Sequence, residues 1–163
     1  LDNFIQLAQR ISAWSFLRPI FCGGPDEKEF GDYLKQHIPD SGPNLIGHTT
    51  LIELVSIISK AHFVIANETS AVHIAAAVDT ASICILGGGH FGRFVPYQVE
   101  GNIQSEMPNA VYTYKDCFGC DWERPCLPRE DKTTVVPCIR DISVEQVMEH
   151  VQPHIEKANN RMN

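Results

Sequence analysis

Short apolar runs alternate with stretches whose apolar residues recur at helical spacing, and no other feature limits the fold so strongly. Pro19-Ile20-Phe21-Cys22 reads as a buried strand ending at Gly23-Gly24, and Asn44 to Ile46 as a short second one. Phe63-Val64-Ile65-Ala66 and Ala81 to Leu86 read as further strands, the last running into Gly87-Gly88-Gly89. The helices between them start with one from Asp2, whose apolar side is Phe4, Leu7, Ala8 and Ile11. A polar helix from about Asp26 to Gln36 follows, with Phe30, Tyr33 and Leu34 as its inner face. Thr50-Leu51-Ile52-Glu53 is a capping box, in which hydroxyl and carboxylate each satisfy a free backbone N–H. Leu51, Leu54, Val55 and Ile58 then recur at helical spacing, and Ser70 to Val78 is a helix of small residues. Apolar strands separated by amphipathic helices predict a parallel sheet covered on both faces, a doubly wound α/β domain.

Beyond Val99 the pattern changes. Residues 100–110 are loop-like, Ala110 to Tyr114 can add a strand, and a cysteine-rich segment runs from Cys117 to Cys138. A last helix starts at Ser143, where Ser143 and Gln146 make a second capping box and Ile142 can staple onto Val147; Pro153 is expected to bend or interrupt it. The expected organisation is a single domain over residues 1–163: a core over 1–99, a loop and cysteine segment over 100–140, and a C-terminal helix over 141–163. The 163 residues suffice for one packed core. With 13 basic against 20 acidic residues the net charge is −7, which disfavours nucleic acid as a partner. No apolar run approaches the roughly 20 residues that span a bilayer, and the first residues lack the pattern of a secretion signal. Because the chain starts without Met and inside a helical pattern, it is expected to be part of something longer.

In open parallel sheets, ligands bind beyond the carboxyl ends of the strands. Three such ends carry unusual residues: Gly23-Gly24-Pro25-Asp26-Glu27, the stretch from Asn67 through Glu68, Thr69 and Ser70 to His73, and Gly87-Gly88-Gly89-His90-Phe91-Gly92-Arg93. They are expected to converge on one ligand. The helix from Ser70 opens right after a strand, so its unpaired first amides form an anion cradle, with Thr69, Ser70 and His73 as added donors. Glu68 would repel a phosphate but suits the hydroxyls of a ribose or sugar. The plainer alternative stays open: Thr69 or Ser70 merely caps the helix, and His73 is a satisfied polar residue against the sheet. The three glycines allow close backbone approach to a ligand and conformations closed to other residues, with Arg93 and His90 as donors. The alternative there is a turn with Arg93 paired to a carboxylate. Neither glycine segment completes a dinucleotide or Walker fingerprint.

Cys22 and Cys84 sit in apolar runs and read as small buried hydrophobes. The other four follow the pattern Cys117-x2-Cys120-x5-Cys126-x11-Cys138, with Pro125, Pro128 and Pro137 stiffening the segment. A structural zinc or iron on four thiolates, reduced buried cysteines, and a disulfide pair all fit one C-x2-C spacing. A reducing compartment suits this usage.

These pieces, in this order, resemble the C-terminal domain of glycosyltransferase family 9, the ADP-heptose–lipopolysaccharide heptosyltransferases and their relatives. The string Asn67-Glu68-Thr69 with His73-Ile74-Ala75-Ala76-Ala77 carries most of the likeness. Gly23 to Glu27, Asn44 to Leu54, Phe63 to Ala66, Pro96-Tyr97 and the cysteine segment add to it. The resemblance implies a Rossmann-like sheet, the donor-binding half of a two-domain GT-B enzyme that transfers sugar with inversion. It implies a bacterial protein of lipopolysaccharide or related glycan synthesis, cytoplasmic or peripheral at the inner membrane. Thr69, Ser70 and His73 would hold the diphosphate without a catalytic metal or other cofactor. Glu68 would bind donor-sugar hydroxyls, Glu27 or Asp26 the ribose beside Gly24, and Thr49 would lie near the base. His90 and Arg93 would line the phosphate or sugar side. The donor would be ADP-heptose or a similar nucleotide-diphosphate sugar, and a glycan or lipid-linked acceptor would be brought by an N-terminal domain. That domain would also hold the catalytic base, so this chain alone would not turn over. The family has Asp where Glu68 stands and Gly where Ser70 stands, so the donor sugar can differ from heptose. A non-catalytic nucleotide-binding or regulatory domain on the same scaffold is the competing reading, and a cysteine-knuckle module on nucleic acid a third.

Overall fold

In a computed structural model of the protein, residues 2–98, 106–123, 125–127 and 134–161 are described. Residues 100–105 of the expected 100–110 loop, and Pro128, lie outside them. The chain forms two compact units, residues 1–57 and 58–163.

In the first unit, α1 (Asp2–Ser12) buries Ile5, Leu7, Ala8 and Ile11. Phe4, expected on that side, is only half-buried, and Ile5 takes its place. A 3₁₀ turn (Pro25–Glu27) leads into α2 (Lys28–His37). Ile5 and Ala8 pack with Leu34, Ile38 and Phe21 into a small core. The expected inner face of α2 is corrected in part: Leu34 is buried as expected, but Phe30 and Tyr33 are exposed and Gly31 is buried in their place. The reason is contact with the chain around Asn44, since a Cβ at Gly31 would come within 2.5 Å of the Asn44 amide. That approach turns the neighbouring stripe of α2 outward.

The two expected strands of this unit reduce to one parallel bridge, Phe21 to Asn44, and Ile20 is exposed. Phe21 N–H donates to Pro43 O at 3.3 Å and Leu45 N–H to Phe21 O at 2.8 Å. Pro19 and Pro43 have no N–H to carry the ladder further back. The capping box at Thr50 is present: Thr50 N–H donates to Glu53 Oε2 at 2.7 Å, and Glu53 N–H to Thr50 Oγ1 at 3.3 Å. It opens α3 (Leu51–Ile58), which buries only Ile58 at its far end. Leu51, expected inward, is exposed in the first turn.

The second unit is an α/β fold with a small parallel sheet. β1 (Val64–Asn67), β2 (Ser82–Ile85) and β3 (Asn109–Val111) lie in that order, with Asn67 opposite Ile85 and Ile85 opposite Val111. β2 is buried throughout because it is central, whereas β1 is only half-buried. α4 (Ser70–Ala77) packs on β1 and β2, where Val72, Cys84, Leu86 and Val95 form a core with Ala66 and Ala110. Strand alternation leaves Ile83 and Ile85 on the other face. α6 (Val144–Asn160) packs on β2 and β3 and buries Val147, Val151 and Ile155.

The second capping box holds as well, with Gln146 N–H on Ser143 Oγ at 3.1 Å and Ser143 N–H on Gln146 Oε1 at 2.9 Å. α6 runs on through Pro153 without interruption, and that residue sits on its exposed side. One turn of helix, α5 (Pro137–Arg140), stands inside the cysteine segment. Pro137 starts it, as suits a residue with no N–H to satisfy. Among the described residues, no helix is long and apolar enough to cross a membrane.

Candidate functional site

The parallel register sets Asn67 beside Ile85, so the turn leaving β1 and the loop leaving β2 emerge side by side. Two of the three expected ligand-binding turns therefore meet in the second unit. The turn at β1 ends in Thr69, the N-cap of α4, whose backbone is extended and whose side chain makes no capping hydrogen bond. The plain capping role weighed for Thr69 is absent. Ser70 is exposed at the start of α4, the end of a helix that carries partial positive charge, while Val72 N–H turns back to Thr69 O at 3.3 Å.

Glu68 stands at the centre of this edge. Its Oε1 is buried and has no hydrogen-bond partner. Burial pushes its carboxyl above the ordinary range, and nearby His90 and His73 oppose that rise. Below it lies Cys84, fully buried, its thiol pushed up to about 12 by burial with a further push from Glu68. His73 is half-buried, and its Nδ1 shares a hydrogen bond with the Tyr97 hydroxyl. The two rings stack at 5.7 Å, almost parallel, and Phe94 meets His73 edge-on. Burial, with a smaller contribution from Cys84, pushes the Tyr97 hydroxyl pKa up.

The glycine loop plays another part than the one expected. None of Gly87, Gly88 and Gly89 has a positive φ, and all three are buried. A Cβ on Gly88 would stand 2.3 Å from the Phe118 ring, and one on Gly89 2.2 Å from the Trp122 ring. One on Gly87 would meet Trp122 at 2.5 Å and Ile139 at 3.0 Å. The bare backbone thus admits aromatic rings of the cysteine segment where a ligand was expected. Gly119 N–H donates to Gly88 O at 2.7 Å and Asp121 N–H to Gly89 O at 2.9 Å, which ties the two segments together.

Arg93 follows the alternative weighed for it: Nη1 lies 3.6 Å from Asp121 Oδ1, both side chains well exposed, and its guanidinium sits over the Phe94 ring. His90 Nε2 is 3.8 Å from the same carboxylate, and Trp122 Nε1–H donates to His90 Nδ1 at 3.3 Å.

The remaining expected residues lie in the first unit. Gly24, Asp26 and Glu27 are exposed, and Thr49 is half-buried. Glu27 Oε2 accepts from Gly24 N–H at 2.8 Å, which commits one carboxylate oxygen to its own turn.

All six cysteines are free thiols, so the disulfide alternative is not formed. Cys138 is buried in α5, Cys117 and Cys120 are half-buried, and Cys126 is exposed. Cys22 is half-buried, less enclosed than its apolar run suggested, and burial raises its thiol. Among the described residues, no group of three or more His, Cys, Asp or Glu side chains is arranged to hold a metal ion.

Phe94, Asp121 and Trp122 belong to this edge and were not foreseen from the sequence; Tyr97 was noted only as part of a loop. A signal for Trp122 and Phe118 did exist. Three consecutive glycines leave a flat bare backbone, and an aromatic-rich segment within the same domain supplies flat rings to cover it.

Residues 2–117 match the family described as glycosyltransferase family 9 (heptosyltransferase). The fold is similar to that in the crystal structure of the glycosyl transferase family 9 from Veillonella parvula DSM 2008, with a TM-score of 0.65 and 15% sequence identity. The similarity covers 96% of this chain and 41% of that one, so the chain spans about two fifths of that protein's length. None of the curated proteins compared with the chain matches it. The family match takes in well over half of the sequence, including the whole β1–α4 turn and the loop to Tyr97, and the chain belongs to glycosyltransferase family 9.

Proposed function

We propose that the chain is the donor-binding, C-terminal half of a GT-B glycosyltransferase with a Rossmann-like sheet, holding a nucleotide-diphosphate sugar at the start of α4. The observation that carries this reading is the pairing of an N-terminus free of any Thr69 cap with the buried, unpartnered Glu68 Oε1 next to it. The first free amides of α4, with Ser70 and His73, take the diphosphate; with Tyr97 as the donor in the bond it shares with His73 Nδ1, Nε2–H is left for a phosphate oxygen. Glu68 Oε1 accepts from a donor-sugar hydroxyl. As the glycosidic bond breaks, negative charge grows on the leaving diphosphate, and the α4 amides stabilise it there without a metal.

His90 and Arg93 serve the outer side of the bound donor. The donor is ADP-heptose or a relative, with transfer by inversion to a glycan or lipid-linked acceptor in bacterial envelope synthesis. The acceptor and the base come from a further domain, and the protein works in the cytoplasm or at the inner membrane surface. A purely regulatory nucleotide-binding domain would have no use for an acceptor oxygen such as Glu68 Oε1 facing the sugar.

A thermal-shift series of ADP-, GDP- and UDP-sugars tests this. One nucleotide class is expected to raise the unfolding midpoint, by about 2.7 kcal/mol of stability at a hundredfold excess over Kd, without sugar transfer by the isolated chain. No shift with any class refutes donor binding, and turnover by this chain alone refutes the division of roles.

The four clustered thiols are proposed to close on one structural zinc or iron through Cys117, Cys120, Cys126 and Cys138, on the strength of their spacing. Protein purified without chelator is expected to carry about one metal per chain, that is, one tetrathiolate site. A metal content near zero would refute the site and leave the segment held by its aromatic contacts and its hydrogen bonds to Gly88 and Gly89.

A further inference from the structure

The turn from Cys117 to Trp122 almost wholly follows the stretch that matches the family, yet it reaches the candidate site. We infer that Trp122, with Asp121, is a positioning residue for His90: it fixes the imidazole as the Nε2–H form, so that the ring offers a donor beside Glu68. This rests on the donor-site reading above.

The geometry is specific. An indole nitrogen can only donate, so His90 Nδ1 must accept from Trp122 Nε1 and the ring proton of neutral His90 sits on Nε2. Nε2 looks toward the Asp121 carboxylate at 3.8 Å, an oxygen it shares with Arg93. Two adjacent side chains thus address the two nitrogens of one imidazole. The rings of His90 and Trp122 also meet edge-on at 6.0 Å.

The backbone is unusual at the same two residues. Asp121 and Trp122 both have positive φ, 47° and 62°. For a bulky residue such as Trp this is an uncommon, strained conformation that persists only when the surroundings impose it. Here they do: Asp121 N–H is bonded to Gly89 O, and the indole rests on the bare backbone of Gly87 and Gly89. The glycines therefore admit the ring, the ring sets the histidine, and the histidine lies near Glu68.

The test uses the whole chain with labelled histidine and follows the imidazole nitrogen signals of His90, assigned by comparison with His90→Gln. Trp122→Phe keeps a ring on the glycines and removes only the N–H. Wild type is expected to show His90 as the Nε2–H form, and Trp122→Phe to lose that preference. Where ADP, GDP or UDP binds, its affinity is expected to fall about 3- to 10-fold in Trp122→Phe, the worth of one neutral hydrogen bond. Trp122→Ala, which also removes the ring, is expected to fall at least as far. An unchanged His90 signature in Trp122→Phe overturns the inference, as does a changed signature with unchanged affinity for a nucleotide that wild type binds. If no nucleotide binds wild type, the donor-site reading fails, while the His90 signature still decides whether Trp122 sets the ring.

Discussion

Replacing Gly88 by alanine is expected to destabilise the protein by about 1–3 kcal/mol, the usual effect of forcing a methyl group into filled space. The added Cβ would stand 2.3 Å from Phe118, well inside contact distance. Phe118 cannot readily yield. It lies among Phe91, Tyr112 and Tyr114, with ring centroids 5.0, 6.2 and 5.0 Å away, and its neighbour Gly119 is bonded to the Gly88 carbonyl. Urea unfolding should show a lower midpoint with an unchanged slope. Gly89→Ala makes an informative contrast, because Trp122 is 37% exposed and has room to swing outward. It should cost less stability and disturb Trp122 fluorescence more. Equal stability of Gly88→Ala and wild type would show that the cysteine segment does not seat on the glycine loop.

Glu68→Gln is expected to trade sugar recognition for stability. Burial disfavours the charged carboxyl, so its folded pKa lies above the unfolded value. The stability Glu68 contributes is then fully present below the unfolded carboxylate range and is lost as pH rises through the folded pKa. At neutral pH an ionised carboxylate with one buried, unpartnered oxygen is a liability, and glutamine removes the charge at nearly constant shape. Thermal unfolding should therefore favour Glu68→Gln at pH 7, and the advantage should vanish near pH 4, roughly where the free carboxyl protonates.

Binding should move the other way. Losing a hydrogen bond to a charged acceptor weakens a nucleotide sugar by about 10- to 100-fold while leaving the parent nucleoside diphosphate nearly unaffected. An equal loss for both would remove Glu68 from the sugar. A stability gain that persists unchanged to pH 4 would show that burial of the charge is not its source.

What could be read from the amino acids and what could not divide along the range of the interactions. The capping boxes at Thr50–Glu53 and Ser143–Gln146 each join residues three apart, so the sequence specifies them outright, and both are formed. The order of β1, α4 and β2, and the meeting of Glu68 with His73 and His90, also follow from strand–helix alternation, because parallel neighbours must place their carboxyl ends together.

The role of the glycines was hidden, since a glycine admits a ligand or a ring equally well. Only the return of the chain 30–35 positions later, at Phe118 and Trp122, decided between them. The same holds for Phe30, which fits the periodicity of α2 yet is turned outward by an approach between Gly31 and Asn44. Periodicity names the apolar residues of a helix, but the surface that comes to meet it chooses which of them are buried. That surface is assembled from distant parts of the chain, and its shape exists only once the fold has closed.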